Sequence, residues 1–257
     1  MGSTSKSEVE ALLKLEQWEL YPRLFAYIPP DILVLERIDG VPWTVSLRTE
    51  DETYLEAALD AFICLTEAIE TEKLPTCRLA QSIQGILLTL DELFEYHPAI
   101  YALPEIEKAC EDVKAVYSRL IQEPSTWYID DPGPDNLLVS ERGFERFVDA
   151  NLDVGNRVVH VAGFLERLAH RTNSLRLSST AFKLLVDRFT LDPDIIVAAA
   201  LLRSLIAVSR YHRWNGWNMW PDRHKLPLSE AEERERARYY VRSILTIRRH
   251  LPLNPML

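Results

Sequence analysis

The sequence predicts an α+β protein, mostly helical, with a very small sheet. Three observations carry that prediction. Apolar residues recur at three- and four-residue spacing over most of the 257 residues. Strand-like runs are confined to "ILVLERIDG" near the start and to "NLLV" and "FERFV" in the middle. Pro75, Pro98 and Pro104 fall between helical patterns, where a missing N–H and a fixed φ do no harm. The expected order is helix, strand, three helices, hairpin, four helices.

Residues 7–20 place Val9, Leu12, Leu13 and Leu20 among Glu and Lys, the pattern of a one-faced helix. "YPRLFAYIPP" follows as an extended, turn-rich piece. "ILVLERIDG" reads as a strand stopped by Gly40. From Thr53 to about Gln122 three helices are expected. Their apolar faces are Leu55, Ala58, Phe62, Leu65 and Ile69, then Leu79, Ile83, Ile86, Leu90 and Leu93, then Ile106, Ala109, Val113, Val116 and Leu120. After the central hairpin, helices are expected over 158–171, 179–190, 193–213 and 229–250. The last opens on Ser229-x-x-Glu232, in which hydroxyl and carboxylate each cap a backbone N–H.

Composition narrows the function. A hydrophobic content of 47% supports a real core. A net charge of −10 argues against nucleic acid or anionic membrane as partner, because both need basic surface. The basic run "RERARYYVRSILTIRRH" alternates with apolar residues and reads as a helix with a solvated face. Three cysteines, with no CxxC and no zinc spacing, point to a reduced, cytoplasmic protein. "MGSTSKSEVEALL" has no apolar stretch of the kind a secretory signal needs. "DIIVAAALLRSLIAV", a long apolar run, is interrupted by Arg203, so no membrane-spanning helix is expected.

The stretch "STWYIDDPGPDNLLVSERGFERFVDANLD" carries the chemistry. It holds five aspartates in 24 residues, 130–153, around a hairpin turned at Ser140-Glu141-Arg142-Gly143. Asp131, Asn136 and Asp149 form a D-x4-N-x12-D set. A loop amide and a carboxylate one hairpin apart can converge on a hard cation such as Mg2+. An aspartate ahead of them can accept the proton of a hydroxyl. The plainer alternative is that all three are turn formers.

"IDDPGPDNLLV" followed by "FVDAN" resembles the catalytic segment of the aminoglycoside phosphotransferase and choline kinase group, which has a protein-kinase-like fold. The resemblance implies that Asp131 is the catalytic aspartate, Asn136 a metal-binding asparagine and Asp149 a second, metal-binding aspartate. It implies an α+β fold with a helical C-lobe and a remnant N-terminal lobe, divided as 1–40 and 41–257. "PRLFAYIPPDILVLERIDGVPW" looks like the strand and hinge between the lobes. Backbone groups of Glu36, Arg37 and Ile38 would then meet the adenine edge of a nucleotide. "SEVEALLKL" resembles the αC-type helix, with Glu8 as its acid.

The chain also departs from that pattern. No glycine-rich loop and no strand lysine can be placed ahead of Glu8; the first glycine after Gly2 is Gly40, and Lys6 and Lys14 fall in other elements. Ile129 replaces the motif's histidine, and Asp130 the small residue after it. Pro132 and Pro134 stiffen the loop, and Ala150 follows the second aspartate. Groups that hold and neutralise phosphates are worth on the order of 10²–10³ in rate each. The expectation is therefore a small-molecule-handling protein on a degenerate phosphotransferase scaffold: a repurposed enzyme with an acid–base pocket at Asp131, Asn136 and Asp149, requiring no cofactor. The alternatives are an ATP- and Mg2+-dependent O-phosphotransferase and a pseudokinase-like interaction protein.

A second candidate surface is "YHRWNGWNMWPDRHK", with Trp214, Trp217 and Trp220 spaced by three. They either seal the helical lobe or form an aromatic wall for a substrate, with His212 and Arg213 as polar anchors. The apolar face of "ILVLER" needs cover from the first helix, the C-lobe or a second copy, so a homodimer is among the expectations.

Overall fold

The computed structural model describes residues 4–29, 32–46, 54–71, 100, 102–129, 131–172, 174–217 and 229–250. Helix α1, Thr4–Leu15, buries Ala11, Leu12 and Leu15. It stops short of residue 20 because a 3-10 turn, Glu16–Trp18, leads into Glu19 at φ 52°, whose N–H bonds back to the Glu16 carbonyl. Lys14 lies over the Trp127 ring, 5.4 Å from its centroid.

Strands β1, Leu24–Ile28, and β2, Ile32–Leu35, form an antiparallel pair with Tyr27 opposite Leu33 and Ile28 opposite Ile32. Part of the piece expected to be merely extended is thus a strand: LFAYI lacks an alternating pattern, and only its partner identifies it. One face is partly buried through Leu24, Tyr27, Leu33 and Leu35; the other leaves Phe25, Ile28, Ile32 and Val34 exposed.

Strand β3, Val41–Pro42, joins β5, Leu137–Ser140, which pairs with β6, Gly143–Phe147. This is the hairpin expected from the sequence. Gly143 sits at φ +110°, a conformation that side chains resist, which is why the turn ends on glycine. Strand β4, Ser125–Ile129, pairs with β7, Leu152–Asn156, from Ser125 opposite Asn156 to Ile129 opposite Leu152. This second ladder was not expected; its strands are 22 residues apart in sequence, and no turn signal joins them.

Helices α2 (Trp43–Ser46), α3 (Leu55–Thr71), α4 (Pro104–Leu120), α5 (Arg157–Thr172), α6 (Leu175–Phe189), α7 (Pro193–Trp217) and α8 (Glu230–His250) complete the described elements. The helix expected around Leu79–Leu93 lies outside the described residues. Helix α6 begins four residues earlier than expected because Ser174 caps it, its hydroxyl accepting the Leu177 N–H at 3.3 Å. The capping box at α8 forms: Ser229 Oγ accepts the Glu232 N–H at 3.3 Å and Glu232 Oε2 accepts the Ser229 N–H at 2.7 Å.

The core is one cluster running from Ala11 to Ile247, with Trp43, Phe62, Phe147 and Phe164 fully buried. Residues 195–202 of α7 are buried on every side, as an apolar helix in a domain interior should be, and α7 packs against α4, α5 and α8. Among the described residues no helix is long and apolar enough to cross a membrane. Two titratable side chains are buried on α5, Glu166 and His170. Glu166 accepts a contact from His170 Nδ1 at 2.8 Å, and the Tyr239 hydroxyl donates to the His170 carbonyl at 2.7 Å. Burial alone would raise the Glu166 carboxyl, yet the bond to His170 and the charges of His170, Arg203 and Arg167 hold it below the usual range.

Candidate active site

The two ladders place the three sequence-derived residues together. Beyond the Ile129–Leu152 rung, β4 runs into the loop carrying Asp131, and the chain entering β7 carries Asp149 at the same end. At the open end of the hairpin Leu137 faces Phe147, and the Val148 N–H adds one more bond to the Asn136 carbonyl at 2.8 Å. Asn136 Nδ2 donates to the Asp131 carbonyl at 2.9 Å. Asn136 therefore ties the Asp131 loop to the strand that leads into Asp149. Asp149 itself stands at φ 61°, the left-handed region that aspartate tolerates better than most, and its carbonyl accepts the Asn151 N–H at 3.0 Å.

Helix α5 clamps this loop. Arg167 Nε lies 3.0 Å from Asp131 Oδ1, and one turn on, Arg171 pairs with Asp135. Two acids four apart on the loop thus meet two arginines four apart on the helix. Gly133 sits between them: a Cβ there would come within 2.8 Å of Arg167 Cβ, so only glycine lets the loop lie against the arginine stem. Asp131 Oδ2 has no protein partner among the described residues.

His160 supports the loop from beneath. Its Nδ1 accepts the Ile129 N–H at 3.1 Å, and its ring stacks on Phe62 with centroids 4.7 Å apart. Full burial, and then the Arg203 charge, push its pKa down to about 3. It is therefore neutral at working pH, in the tautomer that leaves Nδ1 as an acceptor. The folded value lies below the ordinary 6.5, so the unfolded chain takes up a proton that the folded chain refuses. The stability that follows is fully present above pH 6.5 and lost as pH falls towards 3, by at most about 1.4 kcal/mol per pH unit. Urea titrations at several pH values should show this acid limb, and His160→Gln, which keeps an acceptor but does not titrate, should flatten it.

Around Asp149 the environment is acidic and partly dry. Burial, and then the charge of Asp149, raise the Glu8 carboxyl, so the α1 acid lies within electrostatic reach of Asp149. Burial and the same charge raise the Tyr21 hydroxyl far above its ordinary value; Tyr21 packs on Phe147 at 5.8 Å. Among the described residues no group of three or more His, Cys, Asp or Glu side chains is gathered as a metal site.

Glu36, Arg37 and Ile38 line a cavity of about 510 Å3 together with Asp39 and the hairpin turn from Ser140 to Arg146. Ile38 is its one apolar side chain among the described lining residues, whereas a pocket for a planar base is normally apolar. It lies at the turn of the hairpin, while Asn136 and Asp149 lie at the open end; a four-residue strand spans about 13 Å. The structure does not bring these two sets of residues into one cavity. His212, Arg213, Trp214 and Trp217 fall in the last two turns of α7, and Trp220 lies outside the described residues.

No family model and no curated protein matches the chain. Its fold is that of protein-kinase-like small-molecule phosphotransferases. A choline/ethanolamine kinase family protein from Mesorhizobium loti matches with a TM-score of 0.66 at 12% identity, covering 96% of this chain and 79% of its own. A thermostable mutant of the aminoglycoside phosphotransferase APH(4)-Ia, solved in ternary complex with ADP and hygromycin B, matches with a TM-score of 0.59 at 14% identity, covering 95% and 84%. The choline kinase LicA from Streptococcus pneumoniae matches at 0.56 and 14%. The likeness establishes the phosphotransferase-type scaffold expected from the D-x4-N-x12-D segment.

Arg167, Arg171, Gly133 and His160 were not singled out by sequence as site residues. The matched four-residue spacings of Asp131 with Asp135 and Arg167 with Arg171 were a usable signal, but nothing in sequence says that α5 faces the loop.

Proposed function

We propose that the pocket at Asp131, Asn136 and Asp149 does acid–base work on a hydroxyl group of a small polar molecule. The observation that supports this most is the asymmetry at Asp131. Arg167 holds Oδ1 at 3.0 Å and orients the carboxylate, while Oδ2 has no protein partner among the described residues and can accept the hydroxyl proton. Asn136 positions this loop by donating to the Asp131 carbonyl. In this reading the chemistry needs no cofactor.

A second reading, transfer of a phosphoryl group from a Mg2+–nucleotide, is favoured by the oxygens opposite. Because Asn136 turns its amide nitrogen to Asp131, its Oδ1 has no protein partner among the described residues. That oxygen and the Asp149 carboxylate, with Glu8 close by, suit a hard divalent cation, which usually takes only one or two protein carboxylates. When bound, such an ion bridges and neutralises nucleotide phosphates.

Calorimetric titration separates the two. The first reading expects ATP with Mg2+ to bind weakly or not at all, since the hinge cavity is charged and no phosphate-binding loop is among the described elements. A dissociation constant of about 1 μM, accompanied by γ-phosphate transfer to an added hydroxyl compound, would establish the second.

A further inference from the structure

Arg203 is the charge that interrupts the apolar run of α7, and it lies where α7 packs on α5. Helix α5 makes room for it at Gly163: a Cβ there would come within 3.0 Å of Arg203 Nε and 3.1 Å of Cζ. Residues three apart on a helix have Cβ atoms about 5–6 Å apart, so the guanidinium rests between His160 and Glu166 on one stripe of α5. Its charge reaches both. It adds to burial in lowering His160. Burial raises the Glu166 carboxyl, and His170, Arg203 and Arg167 together lower it.

Glu166 matters because of what stands on its other side. Arg167 Nε lies between two carboxylates, 3.0 Å from Asp131 Oδ1 and 3.8 Å from Glu166 Oε2. By distance the two pulls are comparable. Glu166 is the drier, with a side chain 2% exposed against 39% for Asp131, and opposite charges attract more strongly where water is excluded. Left to itself, Glu166 would draw Arg167 off Asp131. His170 meets Glu166 Oε1 at 2.8 Å, and the Arg203 charge offsets the carboxylate further from the α7 side.

We infer that Arg203 is a positioning residue for Asp131: by neutralising Glu166 from α7, it leaves Arg167 to hold the Asp131 carboxylate. Arg203 acts through two other side chains, so its effect is on where Asp131 is held. The role rests on the reading of Asp131 as the working base.

Nitrogen–proton correlation NMR on the full chain tests this, because it resolves arginine Nε–Hε signals. The Arg167 signal is assigned by its loss in Arg167→Met. Asp131→Ala should shift it, and the size of that shift measures the Arg167–Asp131 contact. In an Arg203→Met background the shift should largely vanish, because Glu166 then takes Arg167. Adding Glu166→Gln to Arg203→Met should bring it back. A merely bracing role predicts the reverse, since the second substitution removes one more polar contact from α5. Glu166→Gln alone should keep the shift. Should Arg203→Met fail to fold, Arg203→Gln, which keeps a polar group but no charge, makes the same prediction. A full shift in the Arg203→Met background would overturn the inference, as would failure of Glu166→Gln to restore it. Unchanged turnover in Asp131→Asn would instead overturn the acid–base function while leaving the measured contact intact, so the two failures can be told apart.

Discussion

Asp131→Asn should lower turnover of the true substrate by about 10²–10⁴-fold while leaving the melting temperature nearly unchanged. The substitution keeps an oxygen for Arg167 to hold, at the 3.0 Å contact seen in the wild type, and keeps the shape of the loop. What it removes is the ability to accept a proton. Ligand screening by melting shift can supply the substrate, since a bound ligand raises stability by mass action. Steady-state kinetics with that ligand then give the comparison. Unchanged turnover in both Asp131→Asn and Asp149→Asn would remove the acid–base pocket as the working site. The aromatic segment at 211–225 would then be the place to look.

Arg167→Met should be the second most damaging change, with kcat falling by about 10²-fold and KM moving little. The pair it breaks is only partly buried, with side-chain exposures of 29% for Arg167 and 39% for Asp131. Such a pair contributes about 0–1 kcal/mol to stability. The loss of rate therefore reflects misplacement of Asp131 and not unfolding. Arg171→Met removes the neighbouring clamp on Asp135 but leaves Asp131 held, so it should cost much less. Arg167→Lys should recover part of the rate, because a lysine can reach the carboxylate but cannot fix it with a planar fork. Equal losses of kcat in Arg167→Met and Arg171→Met would mean that α5 merely braces the loop.

Much of the fold was legible before any coordinates. Amphipathic spacing located α3, α4, α5 and α8 within a few residues, because a helix facing a core repeats its apolar side chains whatever it packs on, and α7 was legible as a long apolar run. The hairpin was legible because its strands are local and its turn needs a glycine at positive φ. The ladder of β4 with β7 was not, nor was β1, since a strand is defined by a partner and the partner need not be near in sequence.

The sequence by itself determined which residue types stand at D-x4-N-x12-D, and the family resemblance of that segment implied the phosphotransferase-type scaffold whose fold the chain shares. Only the tertiary structure decided how those residues are held. The Asn136 amide turns to the Asp131 backbone, Arg167 takes one oxygen of Asp131, His160 supports Ile129, and the cavity lined by Glu36, Arg37 and Ile38 stays apart from Asn136 and Asp149. Periodicity reports that a helix has a buried side, but not which loop its exposed arginines meet. That depends on how α5 is set against two strand ladders, and so on packing between segments far apart in the chain.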